Sequence, residues 1–313
     1  MEKRLITITT MILVALTGCD KKTTPVLNEP SSSIYAISGV CTQVETKDFP
    51  NARAFCSITD QNNSPLFDFA KGNFSIAEEG KPVVVEEVKK VDNNEDPLSV
   101  VLVLDRSGSM SGTATSNLDI AATNFINKLG VKDECEIVNF DDSVKVSQVF
   151  TSNHQLLEKG ISDYADLGGA TAFFDAVGQA ATDLSSRNGR KFILAMTDGY
   201  ENSSVNYPYA DPLHPDPTAI KAYVNSKGLS VFIVGLGYEI DKDMLRELAT
   251  DTGARYFEAT SSFELDNLYQ QALTQFNNEI VIKFRSLSNG ARNLRVYMNY
   301  GSFTQSFEKK YSN

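Results

Sequence analysis

The chain has 313 residues, of which 42% are hydrophobic and 22% charged, and a formal net charge of −11. That length is enough for one large domain with a smaller companion. The acidic balance argues against nucleic-acid binding through the phosphate backbone, and the two histidines and four cysteines carry no zinc-ligand spacing.

From the N-terminus, Lys3-Arg4 precede a short apolar run from Leu5 to Leu16, followed by Leu16-Thr-Gly-Cys19. The run is too short to span a bilayer. The segment resembles a bacterial lipoprotein signal, residues 1–18. The resemblance implies cleavage before Cys19 and acylation (palmitate-type chains) of its thiol and new amino group. Each buried methylene adds about 0.8 kcal/mol, so several chains anchor firmly. The expected location is the bacterial cell envelope, lipid-anchored to a membrane, with the folded part outside the cytoplasm. Residues 19–33, rich in Lys, Thr, Pro and Ser, read as a flexible tether.

Residues 34–95 alternate apolar and polar positions between turn signals such as Asp60–Pro65, the pattern of an all-β segment. Cys41 and Cys56 both fall in strand-like stretches. Outside the cytoplasm a disulfide between them is expected. Cys135, at the start of another apolar stretch, reads as a buried free thiol.

Over residues 96–278 strand and helix signals alternate, which predicts a mostly parallel sheet covered on both faces. Strands are expected near 99–104, 135–140, 144–150, 191–197, 229–235 and 255–258. Helices are expected near 117–129, 153–161, 172–186, 217–227, 241–250 and 262–278. Phe140-Asp-Asp-Ser-Val144 reads as a tight hairpin, so one edge strand should be antiparallel. Residues 279–313 return to alternation and are too short to fold alone. The economical arrangement pairs them with 34–95 in one sandwich, with the middle region inserted.

The chemistry lies at strand ends. The run Val100–Leu104 closes on Asp105-Arg-Ser-Gly-Ser109, placing one carboxylate and two hydroxyls where open α/β sheets bind ligands. Thr171 follows Gly168-Gly-Ala just before a helix, and Asp198 follows the apolar run Phe192–Met196. These are hard oxygen donors, suited to Mg²⁺, with Mn²⁺ or Ca²⁺ also compatible. The three segments together resemble the von Willebrand factor A (vWA) domain and its metal-ion-dependent adhesion site. The resemblance implies a Rossmann-like α/β fold, here with a small all-β sandwich from the flanks. It implies direct metal ligation by Ser107 and Ser109, ligation by Thr171 directly or through water, and contacts mostly through water from Asp105 and Asp198. It also implies an open metal position for an acidic residue of a protein partner. Unlike integrins, the chain has no acid in Met110–Thr115, so no adjacent second metal is expected. The loop Tyr200–Pro217 carries Tyr200, Tyr207, Tyr209 and four prolines, and reads as a stiff partner-binding face.

The function expected is a membrane-anchored, non-enzymatic protein-binding module. The alternative is a scaffold subunit of an envelope assembly, such as a secretion, pilus or chaperone-like system, with a structural or degenerate metal site. A serine hydrolase needs a base, and neither His154 nor His214 has a sequence-level link to the serines. The nucleophile-elbow pattern G-x-S-x-G is also absent. No feature sets an oligomeric state.

Overall fold

The computed structural model describes residues 33–164, 168–207, 215–238, 240–287, 290 and 292–311. The N-terminal flank forms β1 (Ile37–Asp48), β2 (Asn51–Asp60), β3 (Phe74–Glu78), β4 (Lys81–Val83) and β5 (Val85–Lys90). The middle region then alternates β6 (Leu98–Asp105), α1 (Thr113–Ile126), β7 (Glu134–Phe140), β8 (Val144–Thr151), α2 (His154–Ser162), α3 (Phe173–Ser185), β9 (Arg190–Thr197), α4 (Thr218–Ser226), β10 (Val231–Leu236), α5 (Lys242–Asp251), β11 (Tyr256–Ala259) and α6 (Leu265–Asn277). The C-terminal flank adds β12 (Ile280–Arg285), β13 (Arg292–Tyr300) and β14 (Phe303–Tyr311).

The middle region is one six-stranded sheet in the order β11-β10-β9-β6-β7-β8. Every pairing is parallel except β7 with β8, the expected hairpin at the edge. β6 is buried at all eight positions, as a strand covered on both faces must be. Its side chains alternate between two cores. Val100, Leu102 and Leu104 join α1 and α6 on one face, while Val101 and Val103 join α3, α4 and α5 on the other.

The two flanks meet in a sandwich of sheets β1-β2-β12-β5 and β14-β13-β3-β4. β12 pairs between β2 and β5, and β13 pairs with β3, so neither flank completes a sheet alone. The inner faces close over Phe74, Ile76, Ile280, Ile282, Phe284 and Val296. Polar groups tie the sandwich to the amino-terminal edge of the six-stranded sheet. Arg190 donates to the carbonyls of Asp96 and Phe276 at 2.9 and 2.6 Å, and faces Glu279, which accepts from Thr42. Lys309 of β14 is fully buried and donates to Leu229 O, Ser230 Oγ and Thr252 O. Burial lowers its pKa to about 7.

The disulfide expectation is corrected. Cys41 and Cys56 are register partners across β1 and β2, but both are buried free thiols. A register shift follows Cys41, whose thiol turns to the carbonyl of Gln43 at 3.6 Å. Cys135 is a buried free thiol. Cys19 lies outside the described residues, as does Tyr209.

Candidate metal centre

Asp105 ends β6 and is fully buried. Its Oδ1 accepts the backbone N–H of Ser107 at 2.8 Å, and its Oδ2 accepts Thr197 Oγ from β9 at 2.6 Å. Burial raises its pKa, and the bonds from Ser107 and Thr197 oppose the rise. A carboxylate held from both sides by donors cannot swing, so it fixes the turn that carries the two serines. Ser107 Oγ and Ser109 Oγ stand 3.2 Å apart, and Ser109 Oγ donates to Asp198 Oδ1 at 2.7 Å. Burial pushes Asp198 up to about 6; the charge of Asp105 adds to the rise, and the Ser109 bond opposes it.

Thr171 arrives from a separate loop. Ser107 bridges to Gly168 in parallel fashion, and the backbone of Thr171 is latched at both ends to Asn202. Thr171 N–H donates to Asn202 Oδ1 at 2.8 Å, and Asn202 N–H donates to Thr171 O at 3.0 Å. Gly199 shows how closely the three segments meet. A Cβ there would lie 2.9 Å from Thr171 Oγ and 3.8 Å from Ser109 Oγ. A side chain would therefore displace the threonine hydroxyl, which accounts for glycine after Asp198.

The structure thus brings together Ser107, Ser109, Thr171 and Asp198, with Asp105 directly behind them. All are hard oxygen donors, and the set fits a divalent cation of the Mg²⁺, Mn²⁺ or Ca²⁺ type. With two carboxylates among five groups, one of them already engaged by two donors, such an ion would retain positive charge toward solvent.

Four supporting residues lay beyond sequence reasoning. Arg106, between the aspartate and the first serine, is buried. It donates to Asn139 Oδ1 and Ile161 O, pairs with Asp119 at 2.7 Å, and stacks on Tyr164 at 3.9 Å. Thr197 holds Asp105 as described. Glu201 accepts from the N–H groups of Phe174, Ser203 and Ser204 and from Ser204 Oγ, at 2.7 to 3.0 Å. Asp175 accepts from the N–H groups of Val205, Asn206 and Tyr207. These two acids moor the loop after Asp198 to the first turn of α3, where exposed N–H groups favour negative charge. For Asp175 the signal in the sequence was an acid near a helix start, which usually means ordinary capping.

The tyrosines of that loop divide. Tyr200 is 38% exposed. Tyr207 turns inward instead, with its ring 5.4 Å from that of Tyr223 and seated over Gly178. A Cβ on Gly178 would come within 2.2 Å of the Tyr207 ring, so the missing side chain is the socket. Tyr207 is a packing residue rather than a free docking group. Val205 and Tyr238, 80% and 74% exposed, instead present apolar surface in that loop and after β10.

Comparison with known proteins agrees with this geometry. The von Willebrand factor type A domain family matches residues 99–271. Inter-alpha-trypsin inhibitor heavy chain H4 of Sus scrofa is 23% identical over 209 residues, covering 61% of this chain. The human protein of that name is 25% identical over 213 residues, also covering 61%. The chain spans 22% of the length of these curated relatives. Among solved structures, a von Willebrand factor type A protein from Catenulispora acidiphila superposes over 93% of this chain and 76% of its own, with 10% identity and a TM-score of 0.51. Proximal thread matrix protein 1 of the mussel byssus covers 60% of this chain and 47% of its own, with 16% identity and a TM-score of 0.50. At these identities the structural likeness establishes the fold alone. With the family match covering more than half of the chain, strands of all six positions in the sheet and all five site residues, the chain belongs to the von Willebrand factor type A domain family.

Proposed function

We propose that this protein is a lipid-anchored, non-enzymatic adhesion module of a bacterial envelope that grips an acidic residue of a protein partner through a divalent cation. Domains of this family are generally protein-interaction modules that bind a divalent metal. The observation that carries the reading is the meeting of Ser107, Ser109, Thr171 and Asp198 over the buried Asp105. Ser107, Ser109 and Thr171 would hold the ion, and Asp105 and Asp198 would orient them and balance part of its charge. Bound there, the ion supplies a positive centre for a partner carboxylate. The chain's own task is to keep the hydroxyls in place and to leave one side open.

Specificity must come from the surroundings, because carboxylates occur on most protein surfaces. Tyr200, Val205 and Tyr238 offer the apolar contact that a bare ion cannot. The hydroxyls of Ser107 and Ser109 bond to each other, and that of Ser109 donates to Asp198, an arrangement suited to ligation.

Mg²⁺ titration by calorimetry tests the site. One ion should bind to the wild type and none to Asp198→Ala, and equal affinity would refute the reading. Acetate, a minimal carboxylate, should then perturb water relaxation on the Mn²⁺-loaded protein and leave the metal-free protein unaffected. A scaffold with a buried structural ion would show no acetate response. The anchor is tested separately: Cys19→Ser should release the protein from membranes or leave it unprocessed, and an unmodified Cys19 at a mature N-terminus would exclude it.

A further inference from the structure

At the opposite end of the sheet from the metal residues, a cleft of about 640 Å³ opens between the sandwich and the vWA domain. Its walls come from the end of β1, the connection between α3 and β9, and the end of α4. In a chain of net charge −11, four cations line it: Lys47, Arg187, Lys191 and Lys227. The one carboxylate in the lining, Glu45, is engaged by Arg53. Arg187 is also spent, paired with Glu134 and stacked on Phe150.

The three lysines are different. Lys47 reaches only the neutral Asn188 Oδ1 at 3.4 Å, and Lys227 contacts only the Tyr223 ring at 5.2 Å. Lys191 is half-buried and has no ion pair among the described residues, and burial lowers its pKa. A partly desolvated ammonium is costly to hold; Lys191 is in that state, with the charge of Glu45 opposing the shift, while Lys47 and Lys227 are exposed and line the same concavity. The walls are also fixed relative to each other. Gln43 of β1 accepts the Lys191 N–H at 2.7 Å and donates to Gly189 O at 2.9 Å. The volume is far larger than one phosphate group and falls in the range of small-molecule sites.

We propose that this cleft is a second binding site, distinct from the metal centre, that takes a small polyanion carrying two or more phosphate or carboxylate groups. Lys191 forms its floor charge, and Lys47 and Lys227 clamp from either side. Phe49, 41% exposed at the rim, offers an apolar edge to the remainder of the molecule.

The test uses the folded chain stripped of metal and freed of chelator, so that neither probe can report on the metal centre by chelation. Pyrophosphate and citrate are titrated by calorimetry at low ionic strength, where such contacts are least screened. One molecule of at least one probe should bind. Lys191→Gln should weaken it tenfold or more, the double variant Lys47→Gln/Lys227→Gln should do the same, and Lys191→Arg should retain binding. Lys221→Gln, which removes a lysine outside this cleft already paired with Glu247 and Asp251, should change nothing. Tighter pyrophosphate than citrate assigns phosphate as the preferred group, and the reverse assigns carboxylate. Absence of binding by both probes, equal affinity in wild type and both lysine variants, or an equal loss in Lys221→Gln would overturn the proposal.

Discussion

Replacing Asp198 by Asn should strengthen the metal-free fold while removing metal binding. In the native structure its carboxyl is raised from 3.8 to about 6, by burial first and by the Asp105 charge second. A native value above the unfolded one means that the folded state holds the proton more tightly. The stability this group contributes is therefore full below pH 4 and is lost as pH rises to 6. The full shift corresponds to about 3 kcal/mol. Because water reaches the carboxylate, about 1 kcal/mol is the expected cost at pH 7.5. The asparagine keeps an oxygen that can accept from Ser109 and carries no charge, so the metal-free variant should be more stable by that amount. The difference should vanish at pH 4. Mg²⁺ reverses the order. At a hundredfold excess over its dissociation constant a ligand adds about 2.7 kcal/mol to the wild type, and the variant should gain nothing. Urea denaturation at pH 4 and 7.5, with and without Mg²⁺, measures all four quantities. If the metal-free variant is less stable at pH 7.5, the carboxylate is not strained. If Mg²⁺ stabilises both proteins equally, the ion sits elsewhere.

Three further outcomes are expected. Glu136 on β7 is buried near Asp183, and burial with that like charge raises it to about 8. Its contribution to stability should therefore decline from about pH 4.5 to pH 8, and Glu136→Gln should flatten that decline by about 3 kcal/mol in denaturation across the range. Identical pH profiles would show that Glu136 ionises freely. Glu201→Ala removes the acceptor of four hydrogen bonds, one from the start of α3 and three from Ser203 and Ser204 of the loop, and should lower stability by about 3 kcal/mol. It should also weaken Mg²⁺ binding, because Asn202 would lose its hold on Thr171; unchanged affinity by calorimetry would show that the latch stands without it. Tyr207→Ala should cost about 2 kcal/mol by emptying the Gly178 socket. A thermal scan that shows no change, together with a loss of partner affinity, would return this residue to the binding face.

The central vWA strands β6, β9 and β10 were legible because each carries a continuous apolar run, and the helix predicted at 172–186 lies at Phe173–Ser185 because its apolar positions recur at helical spacing. The metal residues were legible for a related reason. Asp105, Ser107 and Ser109 are neighbours in sequence, and Thr171 and Asp198 each sit where a periodic segment begins or ends. Glu201 and Asp175 were not legible as a pair, since their bonds join segments about 30 residues apart and no period links them. Arg106 occupies a variable position of the motif, and its burial depends on Asn139, Asp119 and Tyr164, which come from three other places in the chain. Composition misled in the tyrosine-rich loop. It counted aromatic rings at the surface, whereas the direction of Tyr207 is set by a glycine in a different element.

The same logic explains why the metal residues can serve a ligand without weakening the fold. Their side chains belong to loops at the carboxyl ends of β6 and β9, outside both apolar layers. The groups that fix them, Asp105, Arg106 and Glu201, are buried and each is multiply bonded. Ser109 and Asp198, at the outer edge of the cluster, are within reach of solvent, whereas the buried groups beneath them would each be expensive to leave unpaired. Substitution of an outer residue such as Asp198 should therefore change ligand binding with little loss of structure. Substitution of an inner one such as Arg106 should unfold the loop before it changes the chemistry. That ordering of stability against binding separates a site built for an exchangeable ligand from a metal that merely holds the fold together.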